Sequence, residues 1–385
     1  MTESHSLTIM VSAGEASGDS HAAHALQALA DAGQSFKSFG MGAGALQSSG
    51  TQLIVDCRDL AVIGIVDVLL NYHKFLKRLK TLRLQMKARK PDLLLLVDYP
   101  DFNLKLAETA KELGIPVLFY VSPQVWAWRA GRVPRIGSLV SHMAVLFPFE
   151  VPIYEKANVP VTYVGNPVVN DAVSDYTKEQ ACVHLGINPA QPVVALLPGS
   201  RNGELTRHLP VMLETMKLLA ADAPDTQFIL PVAPTLDAST VKRLIGDEAT
   251  LGNLTITDED SRTVMRAANV ALVASGTATL ECALIGTPMV VMYVVNAINY
   301  AIMKRLIRIP DISLVNIVAQ QRIVPEYLQH QAIPKDMASD VLSLLRDDAR
   351  RTQMLTDLGL VKQRMGDGGA SERVAQLVLD LTEQS

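Results

Sequence analysis

Cysteine is scarce in this sequence. The 385 residues include three cysteines, Cys57, Cys182 and Cys282, whose wide spacing matches neither a disulfide framework nor a zinc motif. A sparse, odd set of this kind is typical of a reducing cytoplasm. The eight histidines show no metal-ligand spacing either: His21 and His24 are one helical turn apart, but no third ligand is evident. We therefore expect no metal site, and we also expect no bound cofactor.

The sequence also lacks long apolar runs and a strong excess of charge. No run of about 18 uncharged apolar residues occurs, so we expect no membrane-spanning helix. The net charge of −4 gives no reason to expect a nucleic-acid partner. The opening residues, MTESHS, lead directly into an apolar run, and we expect no signal peptide. What the chain has in quantity is hydrophobic residues, 49% of the total, which is enough for two full cores.

Apolar runs of strand length recur along the chain, and helix-like stretches separate them. Strands that alternate with helices predict an α/β fold with parallel, doubly wound sheets. Residues 165–175 have the weakest strand- and helix-forming composition, which predicts a linker between domains. We therefore expect one Rossmann-like domain over 1–168, a second over 169–345, and C-terminal helices over 346–385. The predicted strands are Leu7–Ser12, Asp92–Asp98, Val117–Val121, Met143–Phe147, Val161–Val164, Val193–Leu197, Gln227–Leu230, Leu254–Ile256, Val270–Val273 and Met289–Val294.

Two turns in the second half join a predicted strand to a predicted helix. One holds Gly199, Ser200 and Arg201; the other begins at Ser275 and runs through Gly276, Thr277 and Ala278 to Glu281. Helix N-termini carry unpaired N–H groups and the positive end of the helix dipole, so they bind phosphate. An arginine adds a charged fork for phosphate oxygens, and Glu281 is spaced to take ribose hydroxyls. The pair predicts a nucleotide diphosphate site, although each turn is also compatible with an ordinary tight turn.

The first half holds carboxylates at comparable strand ends. Asp98 ends the most apolar strand, which suits a general base if burial raises its pKa, and Asp101 and Glu15 are alternatives. Either aspartate could instead cap the following helix. The small-residue turn GEASGD (14–19), with Gly14, Glu15 and Ser17, either lines the same cleft or simply connects the first strand to its helix.

A strongly basic segment follows an apolar one early in the chain. Residues 71–90 contain eight lysines and arginines and no acid, directly after AVIGIVDVLL (61–70). This combination predicts contact with an anionic membrane surface, and the alternative is a surface helix whose apolar side faces the core. A second such stretch is Ala297–Arg308. The residues expected to face the membrane are Val62, Ile63, Ile65, Val66, Val68, Leu69, Lys74, Lys77 and Arg78.

Both tryptophans of the chain lie in one segment, YVSPQVWAWR (120–129). Arg129, Arg132 and Arg135 follow at three-residue spacing and so share roughly one side of a helix. Ring faces and arginines near a cleft suit a sugar phosphate, with Ser122, Trp126, Arg129 and Arg132 as the contacting residues. Alternatively, the tryptophans anchor the core or an interface.

Taken together, ten segments resemble the lipid-A-disaccharide synthase family of inverting glycosyltransferases. They occur in the family's order over nearly the whole chain, and YVSPQVWAWR with LLPGSR is the most specific combination. The segments are GEASGD (14–19), AVIGIVDVL (61–69), VDYPDF (97–102), YVSPQVWAWR (120–129), LFPFE (146–150), VGNP (164–167), LLPGSR (196–201), ASGTATLE (274–281), SLVN (313–316) and VPEYLQ (324–329).

The resemblance implies a GT-B fold, in which two Rossmann-like domains face each other across a cleft and the last helices return to the first domain. It implies transfer from UDP-2,3-diacylglucosamine to 2,3-diacylglucosamine 1-phosphate, at the inner face of a Gram-negative cytoplasmic membrane, and a possible homodimer. Asp98 and Arg201 are the expected catalytic residues. Asn316 is carried over as a UDP contact, and Glu326 and Gln329 as cleft residues.

Two other interpretations stay open on the sequence alone. A UDP-sugar epimerase of similar fold would act on a water-soluble substrate and would not need the basic stretch at 71–90. A non-catalytic nucleotide-binding protein at the membrane would bind UDP without consuming a UDP-sugar. The carboxylate of Asp98 argues against the second, because a binding protein has no need of a base.

Overall fold

The structure is a computed structural model that describes residues 6–60, 65–127, 130–172, 174–236, 238–246, 253–296, 300 and 310–383; for 59–60, 65–72, 130 and 238 it describes the backbone alone. The chain divides into two compact units. Unit 1 comprises Met1–Pro167 and Asp367–Ser385, and unit 2 comprises Val168–Gly366.

Within its described residues, unit 1 forms a sheet of seven parallel strands in the order β3-β2-β1-β4-β5-β6-β7. The strands are β1 (Leu7–Ala13), β2 (Phe36–Gly42), β3 (Gln52–Asp56), β4 (Leu93–Val97), β5 (Val117–Tyr120), β6 (His142–Val145) and β7 (Val161–Tyr163). The helices between them are α1 (Ala16–Asp31), α2 (Gly44–Ser48), α3 (Ile65–Arg89), α4 (Pro100–Glu112), α5 (Val133–Gly137) and α6 (Val151–Glu155).

The central strand β4 shows why this sheet is covered on both faces. Side chains alternate across a strand, so Leu94 and Leu96 join the core beneath α3 and α4, whereas Leu95 and Val97 join the core beneath α1. All five residues of β4 are completely buried. A continuous apolar run is therefore what a parallel strand at this position requires.

Unit 2 repeats the scheme, with a sheet of six parallel strands among its described residues, in the order β10-β9-β8-β11-β12-β13. The strands are β8 (Val193–Leu197), β9 (Gln227–Pro231), β10 (Leu254–Thr257), β11 (Val270–Ala274), β12 (Met289–Tyr293) and β13 (Glu326–Leu328). The helices are α7 (Val168–Asp171), α8 (Lys178–His184), α9 (Asn202–Asp222), α10 (Ala238–Ile245), α11 (Ser261–Ala267), α12 (Thr277–Ile285), α13 (Leu314–Ala319), α14 (Pro334–Arg346) and α15 (Asp348–Met365).

The last helix, α16 (Ala370–Glu383), belongs to unit 1. Its residues Val374, Ala375, Leu377 and Val378 complete the core beneath α1. The segment 346–385 is thus shared between the units, because α15 lies in unit 2.

The two parallel sheets confirm the predicted α/β class and its doubly wound topology. In each sheet the strand order reverses once: between β1 and β4 in unit 1, and between β8 and β11 in unit 2. Helices leave such a pair of strands on opposite faces of the sheet, which opens a crevice at the carboxyl ends of the two strands. The four turns of interest, after β1, β4, β8 and β11, all lie at these two points.

Candidate functional site

Unit 2 holds a cavity of about 790 Å³ at the carboxyl ends of its strands. The structure brings most of the predicted nucleotide-contacting residues together around this cavity. They are Ser200, Arg201, Ser275, Gly276, Thr277, Ala278 and Glu281. Its volume lies in the range usual for small-ligand sites.

The turn after β8 is shaped around Gly199. Its φ of +105° is a conformation that favours glycine, and a Cβ there would lie 2.5 Å from a carboxylate oxygen of Glu204. Arg201 is the N-cap residue of α9 and pairs with Glu204 at 3.1 Å. The arginine side chain is 80% exposed and lines the cavity, so a ligand there can reach it.

The turn after β11 leaves open space. Gly276 has extended backbone, and a Cβ built on it would meet no atom within 4 Å. The hydroxyl of Ser275 donates to the carbonyl of Ile312 at 3.1 Å, which ties the turn to the chain before α13. Because α12 begins at Thr277, its first backbone N–H groups and the positive end of its dipole are directed at the cavity.

Glu281 lies in the second turn of α12 and on the cavity wall. Burial raises the pKa of its carboxyl, and the nearby guanidinium of Arg262 opposes that rise. Arg262 is itself held by the carboxylate of Asp260 at 2.8 Å and donates to the backbone carbonyl of Asp171. The pairing raises the pKa of Arg262 and lowers that of Asp260.

Several residues of this cavity were not predicted from the sequence; they include Glu204, Asp260, Arg262 and Tyr293. All but Glu204 follow or end β10 and β12. A position after the carboxyl end of a strand could have indicated these residues, because the carboxyl ends of all parallel strands meet at one edge of a sheet. Only two of these strand ends were predicted to contact a ligand, because only the turns after β8 and β11 contain glycine.

Three residues carried over from the family motifs have their side chains engaged in the fold, and none is among the described residues that line the cavity. The amide of Asn316 is buried, donates to Glu326 at 2.7 Å and accepts from the backbone N–H groups of Ile323 and Val324. Glu326 also accepts from Ser313 and from the N–H of Ile312. Gln329 exchanges two hydrogen bonds with the backbone of Val295.

In unit 1, Asp98 follows β4 directly. Asp98 and Tyr99 have φ of 49° and 48°, a left-handed conformation that non-glycine residues adopt rarely and mostly where surrounding structure imposes it. The side chain is partly buried. Burial, with a smaller contribution from the negative charge of Glu15, raises the pKa of Asp98 to about 6. A carboxyl with that pKa is ionised at neutral pH and still basic enough to accept a proton.

Neighbouring strand ends surround this aspartate. Gly14, after β1, is buried and packs against the Tyr99 ring. Glu15 and Ser17 are exposed at the start of α1. Asn103, in α4, donates to the backbone carbonyl of Asp98 at 2.6 Å. Asn103 was not predicted from the sequence, and nothing in its local pattern distinguishes it from an ordinary helix residue.

The aromatic and arginine segment is only partly described. Arg129 lies outside the described residues, whereas Arg132 forms an ion pair with Asp101 at 2.7 Å. The Trp126 ring packs edge-on against Phe149 at a centroid distance of 5.4 Å. Ser122 is buried and shares a hydrogen bond of 2.7 Å with the hydroxyl of Tyr154.

A buried acid, Glu150, lies beside this segment. Its carboxylate accepts from the backbone N–H of Phe147 at 3.1 Å. Burial raises the pKa of Glu150 to about 7, although hydrogen bonds from Phe147, Ser122 and Trp126 favour the charged form.

The basic segment forms most of α3, and its two faces differ. Phe75, Leu79, Leu82 and Met86 pack into the unit 1 core, as the surface-helix alternative requires. Leu76 and Leu84 are 45% and 57% exposed, together with Lys74 and Lys77. Val62 and Ile63 lie outside the described residues, as does the stretch 297–308 apart from Tyr300, and only backbone is described for Ile65, Val66, Val68 and Leu69. Among the described helices, none is both long and apolar enough to cross a bilayer.

Comparisons with known proteins agree with this geometry. A family model described as lipid-A-disaccharide synthetase matches residues 9–376. The chain is 42% identical to the lipid-A-disaccharide synthase of Geobacter sulfurreducens over 381 residues, 99% of both chains. It is 37% identical to that of Coxiella burnetii over 374 residues, covering 97% of this chain and 98% of the relative.

Solved structures show the same fold at much lower identity. A putative UDP-N-acetylglucosamine 2-epimerase from Listeria monocytogenes superposes with a TM-score of 0.63 at 12% identity, over 99% of this chain and 98% of that one. The glycotransferase of kitacinnamycin gives 0.64 at 18% identity, over 98% and 99%. The epimerase alternative therefore shares the fold alone, whereas the synthases share sequence over the full length. The chain belongs to the lipid-A-disaccharide synthase family and is a glycosyltransferase of lipid A biosynthesis.

Proposed function

We propose that this enzyme transfers the sugar of UDP-2,3-diacylglucosamine to 2,3-diacylglucosamine 1-phosphate. The 6-hydroxyl of the acceptor forms a bond to the anomeric carbon of the donor, and the bond from that carbon to the diphosphate oxygen of UDP breaks. The configuration inverts, and the product is a β-1′,6-linked disaccharide 1-phosphate. Family membership supports this substrate pair, and the unit 2 cavity, with two helix N-termini and an arginine at its wall, is the observation that supports a nucleotide diphosphate donor.

The unit 2 residues act on the leaving group. Negative charge grows on the diphosphate as UDP departs, so donors that are already fixed in place stabilise the transition state most. Arg201 and the first N–H groups of α12 supply such donors. Glu281 accepts from the ribose hydroxyls. Arginine and helix termini provide the positive potential for which other transferases use a divalent cation.

Asp98 acts on the acceptor. Its carboxylate accepts the proton of the 6-hydroxyl while that oxygen attacks, which leaves the aspartic acid neutral and the negative charge on UDP. The raised pKa of about 6 suits this step, because a stronger base takes the proton more readily. Arg132, which pairs with Asp101, binds the 1-phosphate of the acceptor.

The decisive experiment incubates the full chain with both lipid substrates in detergent micelles containing EDTA. Mass spectrometry follows the disaccharide, and a coupled assay follows UDP with and without acceptor. We expect equal amounts of disaccharide and UDP, and only when acceptor is present. UDP release without acceptor, or epimerised UDP-sugar, would overturn the proposal; loss of activity in EDTA would overturn its metal independence.

We also propose that α3 holds the enzyme at an anionic membrane surface. Exposed leucines beside exposed lysines on one helix support this, since apolar contact and attraction to anionic headgroups add. The variant Leu76→Ser/Leu84→Ser should bind less to vesicles containing phosphatidylglycerol. The matched control is Leu355→Ser/Leu360→Ser on α15, where the leucines are 38% and 51% exposed. Equal vesicle binding by both variants would contradict the assignment to α3.

A further inference from the structure

The side chain of Asn103 is buried completely at the point where the sheet of unit 1 reverses its strand order. Its Nδ2 lies 2.6 Å from the carbonyl oxygen of Asp98, 3.1 Å from that of Ser12 and 3.3 Å from that of Val97. Its Oδ1 accepts from the hydroxyl of Ser12 at 2.6 Å. One amide therefore ties together the ends of β1 and β4 and the first residue of the turn that follows β4.

That turn needs an anchor. Asp98 and Tyr99 both have positive φ, although neither is glycine, and such a pair of residues is costly unless the surroundings hold it. The hydrogen bond from Asn103 is made to the carbonyl of Asp98 itself, so it acts directly on the strained peptide. The three carbonyl oxygens fix the orientation of the amide, because they only accept and must face Nδ2, and the Ser12 hydroxyl then donates to Oδ1.

We propose that Asn103 is a positioning residue for transfer, which holds the backbone of Asp98 in the left-handed conformation that directs its carboxylate at the acceptor hydroxyl. The proposal rests on the role of Asp98 as the base. No other side chain of similar size can replace the amide. A leucine of similar shape has no donors, and an ionised aspartate would set a negative charge against three carbonyl oxygens.

The alternative is that Asn103 serves folding alone. The two roles differ in their kinetics, because a residue that acts only through Asp98 has nothing left to affect once the carboxylate is gone. A loss of folded protein, in contrast, lowers turnover by the same factor whether or not Asp98 is present. A double-mutant cycle therefore separates them.

The experiment measures transfer by the full chain for Asn103→Leu, Asp98→Ala and the double variant, with Thr109→Val as the control. Thr109 is a buried polar residue of the same helix, six positions further on. We expect Asn103→Leu to lower kcat about 100-fold with KM within about threefold, the loss usual for a misplaced catalytic group. The acidic limb of its pH profile should move, UDP binding should stay unchanged, and the double variant should match Asp98→Ala.

Ser12→Ala provides a milder variant if Asn103→Leu does not fold. It removes one hydrogen bond from the amide and should give a smaller loss of the same kind. Equal factors of loss in the wild-type and Asp98→Ala backgrounds, or normal turnover by Asn103→Leu, would overturn the positioning role while the proposed function stands. Normal turnover by Asp98→Ala would instead remove the base itself, and a wild-type chain that makes no disaccharide would overturn the proposed function.

Discussion

Gly14 lies directly against the aromatic ring of Tyr99. A Cβ built on this glycine would fall far inside van der Waals contact with three atoms of the tyrosine side chain. The two residues follow adjacent strands, β1 and β4, so the absence of a side chain on one turn allows the other turn to close over it. The conformation of the Asp98 turn thus depends on a glycine more than 80 residues earlier in the chain.

Gly14→Ala should therefore impair transfer more than it impairs folding. The added methyl group forces the Tyr99 ring away and disturbs the adjacent Asp98, so we expect a fall in kcat of at least about tenfold. Gly44→Ala is the matched control, because a Cβ at Gly44 meets no atom within 4 Å. Steady-state kinetics with thermal unfolding of both variants tests this, and equal kcat values for the two would show that the contact is unimportant.

The rate of transfer should depend on the ionisation of Asp98. Because only the carboxylate accepts a proton, kcat/KM should fall tenfold for each pH unit below about 6, the raised pKa of this group. Glu15→Gln removes a negative charge that contributes to the rise, so its acidic limb should move to lower pH. Asp31→Asn, an exposed acid at the other end of α1, should leave the limb in place. A limb that Glu15→Gln moves to higher pH would contradict this assignment.

Arg201 should contribute to UDP binding through its guanidinium. A hydrogen bond to a charged group is worth about 1.5–3 kcal/mol, so Arg201→Ala should raise the Kd for UDP about 10- to 100-fold, as measured by calorimetric titration. Lys217→Ala removes a comparable ion pair, with Glu214 at 2.8 Å, from the same helix and should leave the Kd unchanged. If both variants bind UDP as the wild type does, Arg201 is not a phosphate ligand.

Glu150 should make the stability of unit 1 depend on pH. Its pKa is raised from 4.5 to about 7 in the folded state, so the folded chain holds this proton more tightly than the unfolded chain. The stabilisation is complete below about pH 4.5 and is lost as pH rises through 7, a difference of at most about 3 kcal/mol.

Glu150→Gln should flatten this dependence, whereas Glu155→Gln, which changes an exposed acid on α6, should keep it. Urea unfolding between pH 5 and 8, followed by the fluorescence of the two tryptophans at 126 and 128, measures the difference. Parallel curves for wild type and Glu150→Gln would show that another group governs this range of pH.

The sequence located strands well where they form unbroken apolar runs. Val193–Leu197 and Val270–Ala274 consist of apolar residues throughout, and the structure forms β8 and β11 there. The predicted strands did not include β2, whose sequence FKSFGMG mixes glycine and polar residues, β3 or the three-residue β13. These strands form beside neighbouring strands that supply hydrogen-bond partners, which no local pattern reveals.

The residues of the candidate site also fall into those that the local sequence indicated and those that it did not. Glycine and arginine at the end of β8 predicted a phosphate-binding turn, because glycine lets a ligand approach the backbone and arginine pairs with phosphate oxygens. Arg262 gave no such signal, because its place on the cavity wall depends on its pairing with Asp260 and the carbonyl of Asp171. The roles assigned to Asp98, Arg201 and Glu281 remain predictions, and the experiments above test the first two.

The sequence by itself determined the α/β class, most strand positions and, through its ten motifs, the family. Those features depend on the periodicity and identity of residues close together along the chain. Only the tertiary structure decided which strand ends are neighbours: β1 with β4, and β8 with β11. That adjacency brings Gly14 to Tyr99 and Ser12 to Asn103, and it arises because hydrogen bonding and burial act on whole strands, far apart in sequence, at once.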